Sequence, residues 1–161
     1  MANVKLAVIF YSMGGTNYQL SKWAEEGAKE AGAEVKVLKV PELAPQSAIE
    51  GNPVWKAHVD ATKDVPEVKL EDLEWADAII FSVPTRFGNM PSQMKQFLDT
   101  TGGLWFNGKL VNKVVSAMTS AGKPSWRSRG NHFITIYNDV SLGCNCRFSW
   151  LYGSCHIWSW R

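Results

Sequence analysis

The 161-residue chain has no long apolar run, and its first 123 residues contain no cysteine. A membrane-spanning helix needs about 20 apolar residues in succession. The apolar run at 6–11 is too short for this and lacks the flanks of a secretory signal. Because 45% of the residues are hydrophobic and 20% are charged, the chain can bury one core. We expect a single soluble, cytoplasmic domain that does not bind membranes.

Side chains for nucleophilic or proton-transfer catalysis are also scarce. His58 is the only histidine among residues 1–123, and that stretch has no Ser–His–acid set, paired carboxylates or metal-binding cluster. We therefore predict no catalytic side chain and no metal site. A protein with binding loops and no reactive side chains fits chemistry that is carried by a cofactor.

The charge is unevenly distributed along the chain. Residues 1–123 contain 13 basic and 14 acidic residues, whereas residues 124–161 contain four arginines, no lysine and one acid. The second stretch also holds all three cysteines and four of the eight tryptophans. The net charge of +2 thus combines two different segments, and it does not indicate a nucleic-acid partner.

Strand and helix patterns alternate through the first 123 residues. Hydrophobic patterns predict strands at 4–11, 34–40, 76–83 and 113–118, and helices at 17–31, 70–75 and 92–100. Gly102 and Gly103 are expected to end the last of these helices. The proline-interrupted residues 41–68 are expected to form a long functional loop. This alternation predicts an α/β fold with a parallel sheet, whose ligands bind beyond the carboxyl ends of its strands.

The first loop at this edge, residues 12–17, has the features of a phosphate site. Ser12, Thr16 and Asn17 surround two glycines directly before a helix, where free N–H groups and the helix dipole attract anions. The loop has neither the lysine of a nucleoside-triphosphate loop nor the GxGxxG of a dinucleotide fold, which favours a single phosphate. An ordinary capped strand-to-helix turn is the alternative.

Two further segments lie near the same predicted edge. In residues 84–89, backbone amides and Asn89 could bind a flat heterocycle beside the charge of Arg86, although Arg86 could equally be a solvated loop residue. Trp105 and Phe106 form an aromatic pair. Trp105 could wall a planar substrate or cap the core.

Three segments together resemble one known family. They are SMGGTN at 12–17, PTRFGNM at 84–90 and GGLW at 102–105. They are similar to the WrbA-type flavodoxin-like proteins, the type IV NAD(P)H:quinone oxidoreductases, and the likeness runs from residue 4 to residue 122. The resemblance implies a doubly wound parallel sheet of order 2-1-3-4-5. It also implies FMN, NADH or NADPH as electron donor, two-electron reduction of quinones to hydroquinones, and a homotetramer.

The resemblance also implies roles for individual residues. The FMN phosphate would lie in the loop of Ser12, Met13, Gly14, Gly15, Thr16 and Asn17. The isoalloxazine ring would lie between Thr85, Arg86, Phe87, Gly88 and Asn89 on one side and Ser120, Ala121 and Gly122 on the other. Trp105 would stack on the nicotinamide or the quinone. Many members have Tyr-Gly-His where this chain has Gly14-Gly15-Thr16, so two side-chain contacts are absent and backbone amides are expected to hold the phosphate.

The resemblance ends at Lys123, and we expect two segments: a flavodoxin-like domain at 1–122 and a disordered tail at 123–161. We interpret the tail as translated out of frame. Shifted by one nucleotide, permitted codons from Lys123 onward spell NPHGGQEATILS and then LSTTTYHWGAIVASPGYTDPVIFGAGG, which contains a helix-like stretch, an apolar strand and the family's HWG segment. The last helix and strand would then be missing, and the chain would fold poorly and hold FMN weakly.

Alternative interpretations remain for the tail and for the function. The tail could be a divergent C-terminal segment, and its Cys144, Cys146, Cys155 and His156 match no structural zinc spacing. The protein could be a flavodoxin-like electron carrier. It could also be an inactive remnant or a regulatory interaction protein, which would bind no FMN.

Overall fold

The computed structural model describes residues 3–121 and the backbone of residues 145–146. Its strands are β1 (Lys5–Phe10), β2 (Glu34–Lys39), β3 (Ala78–Pro84), β4 (Val114–Ser120) and β5 (Asn145–Cys146). Its helices are α1 (Thr16–Glu30), α2 (Gln46–Glu50), α3 (Pro53–Ala61), α4 (Leu70–Trp75), α5 (Ser92–Asp99) and α6 (Gly102–Phe106). In this part of the chain no helix is both long enough and apolar enough to cross a bilayer.

The strands form one parallel sheet in the order β2-β1-β3-β4-β5. This confirms the predicted α/β class and strand order. The prediction had the last strand missing, whereas the structure has a two-residue strand that pairs Asn145 with Val114 and Cys146 with Val115. The predicted absence of the last helix and the predicted disorder of the tail concern residues outside the described part.

Alternate residues of the central strands point to opposite faces of the sheet. On one face, residues such as Ile9 of β1 and Phe81 of β3 pack with Leu73 of α4 and Phe97 of α5 into the main hydrophobic core. The other face receives α1, which lies against β1 and its neighbours. The side chains of α1 that are buried there are Asn17 and Ser21. The sheet thus holds the carboxyl ends of β1, β3 and β4 side by side.

Residues 41–68 are not the long loop expected from their prolines. They contain α2 and α3, and α3 begins where the Asn52 side chain accepts hydrogen bonds from the backbone N–H groups of Val54 (3.1 Å) and Trp55 (3.2 Å). Pro53 stands at the first helical position, where its missing N–H costs nothing and its fixed φ suits a helix. The proline that suggested a loop is therefore a helix-start signal.

The glycines at 102–103 also act differently from the prediction. The helix α5 ends at Asp99, where Thr100 and Thr101 donate both backbone and side-chain hydrogen bonds back to its last carbonyls. Gly102 then begins α6, which carries Trp105 and Phe106. The two threonines thus hydrogen-bond the last carbonyl groups of α5 and end the helix, a role that the sequence analysis expected of the glycines.

Candidate functional site

The three loops singled out from the sequence meet at the carboxyl edge of the sheet. The Thr85 N–H donates to the Ser120 carbonyl oxygen (2.9 Å), and the Ser120 Oγ donates to Asn17 Oδ1 (2.6 Å). Arg86 Nη2 lies 3.2 Å from Met13 Sδ. Residues from all three loops therefore surround one place, at the point of the sheet where the strand order reverses.

The first loop presents an uncapped helix start. Ser12 Oγ accepts a hydrogen bond from the Gly15 N–H (2.9 Å), and the Gln19 N–H donates to the Gly15 carbonyl (2.9 Å) as the first bond of α1. The backbone N–H groups of residues 16–18 consequently have no partner within the helix. No side chain caps this end, and its first turn has no acidic residue. These free donors and the helix dipole form a site for an anion.

The side chain of Asn17 is used by the protein itself. It is buried, donates from Nδ2 to Ser82 Oγ (3.2 Å) and accepts from Ser120 Oγ. The backbone carbonyl oxygen of Asn17 accepts hydrogen bonds from both Ser82 Oγ (3.0 Å) and Ser21 Oγ (2.8 Å). Of the predicted phosphate ligands, Asn17 and Ser12 thus have side chains that shape the loop, which leaves backbone N–H groups to face a ligand.

The second loop is a tight turn with unusual backbone geometry. Arg86 and Asn89 are joined by two backbone hydrogen bonds of 2.7 and 2.9 Å. Between them Phe87 has φ +51° and Gly88 has φ +86°, the combination of a mirror-image hairpin turn. A phenylalanine rarely adopts a positive φ, and such strain is found most often at functional sites. The Phe87 side chain is 97% exposed, so burial does not explain the strain.

The remaining predicted residues lie as follows. Thr85 Oγ1 is buried and is the one such side-chain atom in the described part without a hydrogen-bond partner. Trp105 and Phe106 are 53% and 82% exposed, so neither caps the core. Ala121 is exposed directly after β4. Gly122 lies outside the described residues.

The structure adds a cover over the first loop that the sequence did not suggest. A Cβ placed on Gly14 would lie 3.8 Å from Val54 Cγ1, and one placed on Gly15 would lie 3.6 Å from His58 Nδ1. The imidazole of His58 also packs on the Tyr18 ring, with centroids 5.9 Å apart. Burial first, and then the charge of Lys39, lowers the pKa of His58. Because α3 was predicted to be loop, its helical i, i+4 pairing of Val54 with His58 could not be seen.

A second group missed from the sequence surrounds the carboxylate of Glu42. Its oxygens accept from Gln93 Nε2 (2.6 Å), Tyr11 Oη (3.0 Å) and Trp55 Nε1 (3.2 Å), and from two backbone N–H groups. Burial acts to raise the pKa of Glu42, but these hydrogen bonds outweigh it and hold the pKa below its usual value. Burial and then the Glu42 charge raise the pKa of the Tyr11 phenol well above its ordinary range. The group joins the end of β1 to α3 and α5.

No cluster of three or more potential metal ligands occurs among the described side chains. The group of Cys144, Cys155 and His156 lies outside the described residues, and only the backbone of Cys146 lies within them.

Comparison with known proteins gives the family. The profile of the family described as NADPH-dependent FMN reductase matches residues 4–138. A protein of Deinococcus radiodurans named NAD(P)H dehydrogenase (quinone) is 59% identical over 120 residues, which are 74% of this chain and 60% of that protein. A protein of the same name from Aromatoleum aromaticum is 50% identical over 118 residues, 73% of this chain and 56% of that protein. The chain thus spans under two thirds of the length of these relatives.

Solved structures agree on the fold. A WrbA-like flavodoxin from Agrobacterium tumefaciens superposes with a TM-score of 0.66 at 20% identity, covering 88% of this chain and 75% of that one. An oxidised flavodoxin from Bacillus cereus gives 0.60 at 19% identity, with 90% and 83% covered. The flavodoxin-like fold inferred from the sequence motifs is therefore confirmed. The family match ends at residue 138, whereas the predicted boundary lies at 122.

Proposed function

The chain belongs to the NADPH-dependent FMN reductase family, and from this premise we propose that it binds FMN and acts as an NAD(P)H:quinone oxidoreductase. The relatives named NAD(P)H dehydrogenase (quinone) support the reaction. The observation that carries the proposal is the start of α1, where the backbone N–H groups of residues 16–18 face outward without a side-chain cap or an acidic residue. A phosphate monoester is an anion suited to such a start.

The described residues fit FMN in two further respects. The buried Thr85 hydroxyl has no hydrogen-bond partner among the described residues, so a polar edge of a ring would supply one. The strained turn of Arg86 to Asn89 presents backbone and guanidinium groups beside it. When bound, FMN would supply two-electron chemistry between a nicotinamide donor and a quinone acceptor.

We assign roles to the chain's residues on this basis. The loop from Ser12 to Asn17 holds the phosphate, chiefly through backbone N–H groups. The ring lies between the second loop (Thr85, Arg86, Phe87, Gly88, Asn89) and the third (Ser120, Ala121, Gly122). Trp105 offers an exposed indole face on which a nicotinamide or a quinone can stack. In this assignment the protein binds and orients its partners, and no side chain moves a proton.

Flavin binding and turnover test the proposal directly. Apoprotein is titrated with FMN and, in parallel, with riboflavin, which lacks the phosphate, while flavin fluorescence is followed. NADH or NADPH oxidation is then measured with benzoquinone. We expect FMN to bind more tightly than riboflavin and benzoquinone to accelerate oxidation. FMN binding without quinone-dependent oxidation would favour an electron carrier, and absence of FMN binding would contradict the proposal.

We also propose that residues 123–161 are translated out of frame. The abrupt change in charge, cysteine and tryptophan content after Lys123 supports this, as does the family-like peptide in the shifted frame. The nucleotide sequence around the Lys123 codon, read from independent genomic and transcript clones, tests it. Continuous coding of the present tail in every clone, with no extra adenine, would contradict the proposal.

The cellular location and the oligomeric state of the chain are proposed from its family. We propose a cytoplasmic protein that uses a quinone as its small-molecule partner, and a homotetramer as the family's assembly. Light scattering of the purified chain measures the oligomer. A tetramer only in a chain with the tail in the shifted frame would show that the present tail prevents assembly.

A further inference from the structure

We propose that His58 binds the phosphate group of the flavin from outside the first loop, so that α3 supplies the side chain that the loop itself lacks. This inference rests on the proposed function, because it concerns how the same site holds FMN. It goes further by assigning a phosphate ligand in a segment remote from the three loops.

The first step is the position of the imidazole. Gly15 is the residue that precedes the free N–H groups of α1, and His58 Nδ1 lies 3.6 Å from the place of a Cβ on Gly15. A contact of this length is an ordinary van der Waals contact, so the imidazole edge lies against the Gly15 backbone. Gly15 also has φ +91°, a conformation that favours glycine. An anion bound at the helix start next to Gly15 would therefore lie near this ring nitrogen.

The second step is that the imidazole nitrogens of His58 have no hydrogen-bond partner among the described residues, although the ring is about half-buried between α3 and Tyr18. Its ring nitrogens are not among the buried atoms that lack a partner, so they are accessible to a ligand. Its packing on Tyr18 holds it at the loop before the ligand arrives.

The third step is charge. The loop of residues 12–17 contains no lysine, arginine or histidine of its own, and the Arg86 guanidinium approaches it at Met13 Sδ (3.2 Å), so a phosphate dianion there would be neutralised chiefly by N–H dipoles. The groups that act on His58 from other elements are the Lys39 ammonium of β2 and the Tyr18 phenol of α1, and α3 itself carries Lys56 and Asp60. Lys39 is occupied by the Thr62 carbonyl at 3.0 Å. A bound phosphate dianion would favour the imidazolium form of His58 and receive a charge-assisted hydrogen bond.

The experiment compares FMN with riboflavin in the full chain and in two variants on α3. His58→Gln removes the ionisable ring, whereas Lys56→Gln removes a charge from an exposed position on the same helix. Dissociation constants are measured by flavin fluorescence at pH 7, after circular dichroism has checked folding. We expect His58→Gln to weaken FMN about tenfold and riboflavin less than twofold, and Lys56→Gln to change neither by more than about twofold.

A second measurement needs no variant. The His58 ring resonances of the full chain are followed by NMR against pH, without ligand and with FMN. We expect FMN to raise the His58 pKa by one unit or more, and riboflavin to leave it unchanged.

The outcomes separate the two proposals. The role of His58 would be overturned by any of three results: His58→Gln does not weaken FMN binding, it weakens FMN and riboflavin equally, or FMN does not raise the His58 pKa. Each of these results would leave the proposed function standing. A full chain that binds no FMN would overturn both.

Discussion

Gly15 and Thr16 lie where the backbone turns from the end of β1 into α1. Gly15 adopts φ +91°, and the Ser12 hydroxyl fixes the turn by accepting its N–H. Thr16 is exposed and is the first residue of the helix. These residues leave the positive end of the α1 dipole without a side-chain cap, which favours an anionic ligand there.

Thr16→Glu should have opposite effects on stability and on FMN binding. A carboxylate in the first turn complements the helix dipole and should raise the free energy of unfolding of the apoprotein by about 0.5 kcal/mol. The same carboxylate repels a phosphate, so FMN affinity should fall about tenfold or more. Urea unfolding and flavin titration measure the two effects.

Thr16→Gln is the matched control, since it has nearly the same shape without the charge. It should leave FMN affinity within about threefold of the original chain. If Thr16→Glu and Thr16→Gln weakened FMN equally, the start of α1 would not be the phosphate site.

Glu42 connects residue chemistry with acid stability. Burial opposes its ionisation, but donors from Gln93, Ala44, Tyr11 and Leu43 outweigh burial and lower the pKa in the folded protein. The ionised form therefore favours folding. This contribution is complete above the ordinary pKa of 4.5 and is lost as the pH falls through the lowered value.

We expect Glu42→Gln to lower the free energy of unfolding at pH 7 and to flatten its decline below about pH 4.5. The difference in the free energy of unfolding between the original chain and the variant should therefore become smaller towards pH 3. Urea unfolding across this range measures it, with Glu26→Gln at an exposed position of α1 as control. A difference that stayed constant with pH would show that Glu42 does not contribute through its charge.

The helix α3 contributes to the site although it is short. It is nine residues long, contains no buried residue of its own, and still places Val54 and His58 over the first loop, at Gly14 and Gly15. Trp55 of the same helix donates to Glu42. Short helices are marginal without tertiary contacts, so the cap at Asn52 and these contacts together determine whether the cover exists.

Asn52→Ala should destabilise the protein by about 1 kcal/mol, because it removes the acceptor for two backbone N–H groups at the start of α3. If the cover assists the phosphate, FMN affinity should fall several-fold as well. Asn52→Asp keeps the accepting oxygen and should retain both properties. Equal losses in Asn52→Ala and Asn52→Asp would exclude capping as the cause.

At the scale of the whole molecule, the two faces of the sheet differ in how well they are covered. The face of α4 and α5 contains the continuous core. On the face of α1, Trp23 is 59% exposed and Val114 of β4 is 40% exposed. Beside β4 the sheet continues only through the two residues of β5 within the described part. A long exposed edge is a site for unwanted pairing, so the tail is expected to govern stability and assembly.

Replacing residues 123–161 by the peptide of the shifted frame should raise the melting temperature and the FMN content of the purified protein. The reason is that a continued strand and helix would cover the edge of β4 and complete the third loop. Differential scanning calorimetry and the flavin absorbance per chain measure the two properties. A chain ending at Lys123 is the control, and equal behaviour of this chain and the replaced one would show that removal of the present tail suffices.

The residue patterns by themselves determined the α/β class of the sheet and the edge at which the loops meet, whereas the strand order came from the family resemblance. The patterns did so because buried parallel strands are continuous apolar runs, and because Gly, Ser, Thr and Asn follow each run where the chain must turn. The motifs at 12–17, 84–90 and 102–105 also sufficed for the family, which the comparisons confirmed. These patterns and motifs can be recognised from the sequence because each involves only residues that are close to one another in the chain.

Only the tertiary structure decided what individual side chains do. Asn17 looked like a ligand, but the sheet brings Ser82 and Ser120 to it from 65 and 103 residues away and buries it. His58 looked isolated in the sequence. The Asn52 cap, which was not recognised there, begins the helix α3, and this helix places His58 beside Gly15. Such pairings depend on which strands lie side by side and on how a short helix packs. Local sequence patterns predict neither the strand neighbours nor the helix packing, because these contacts join residues that are distant in the chain.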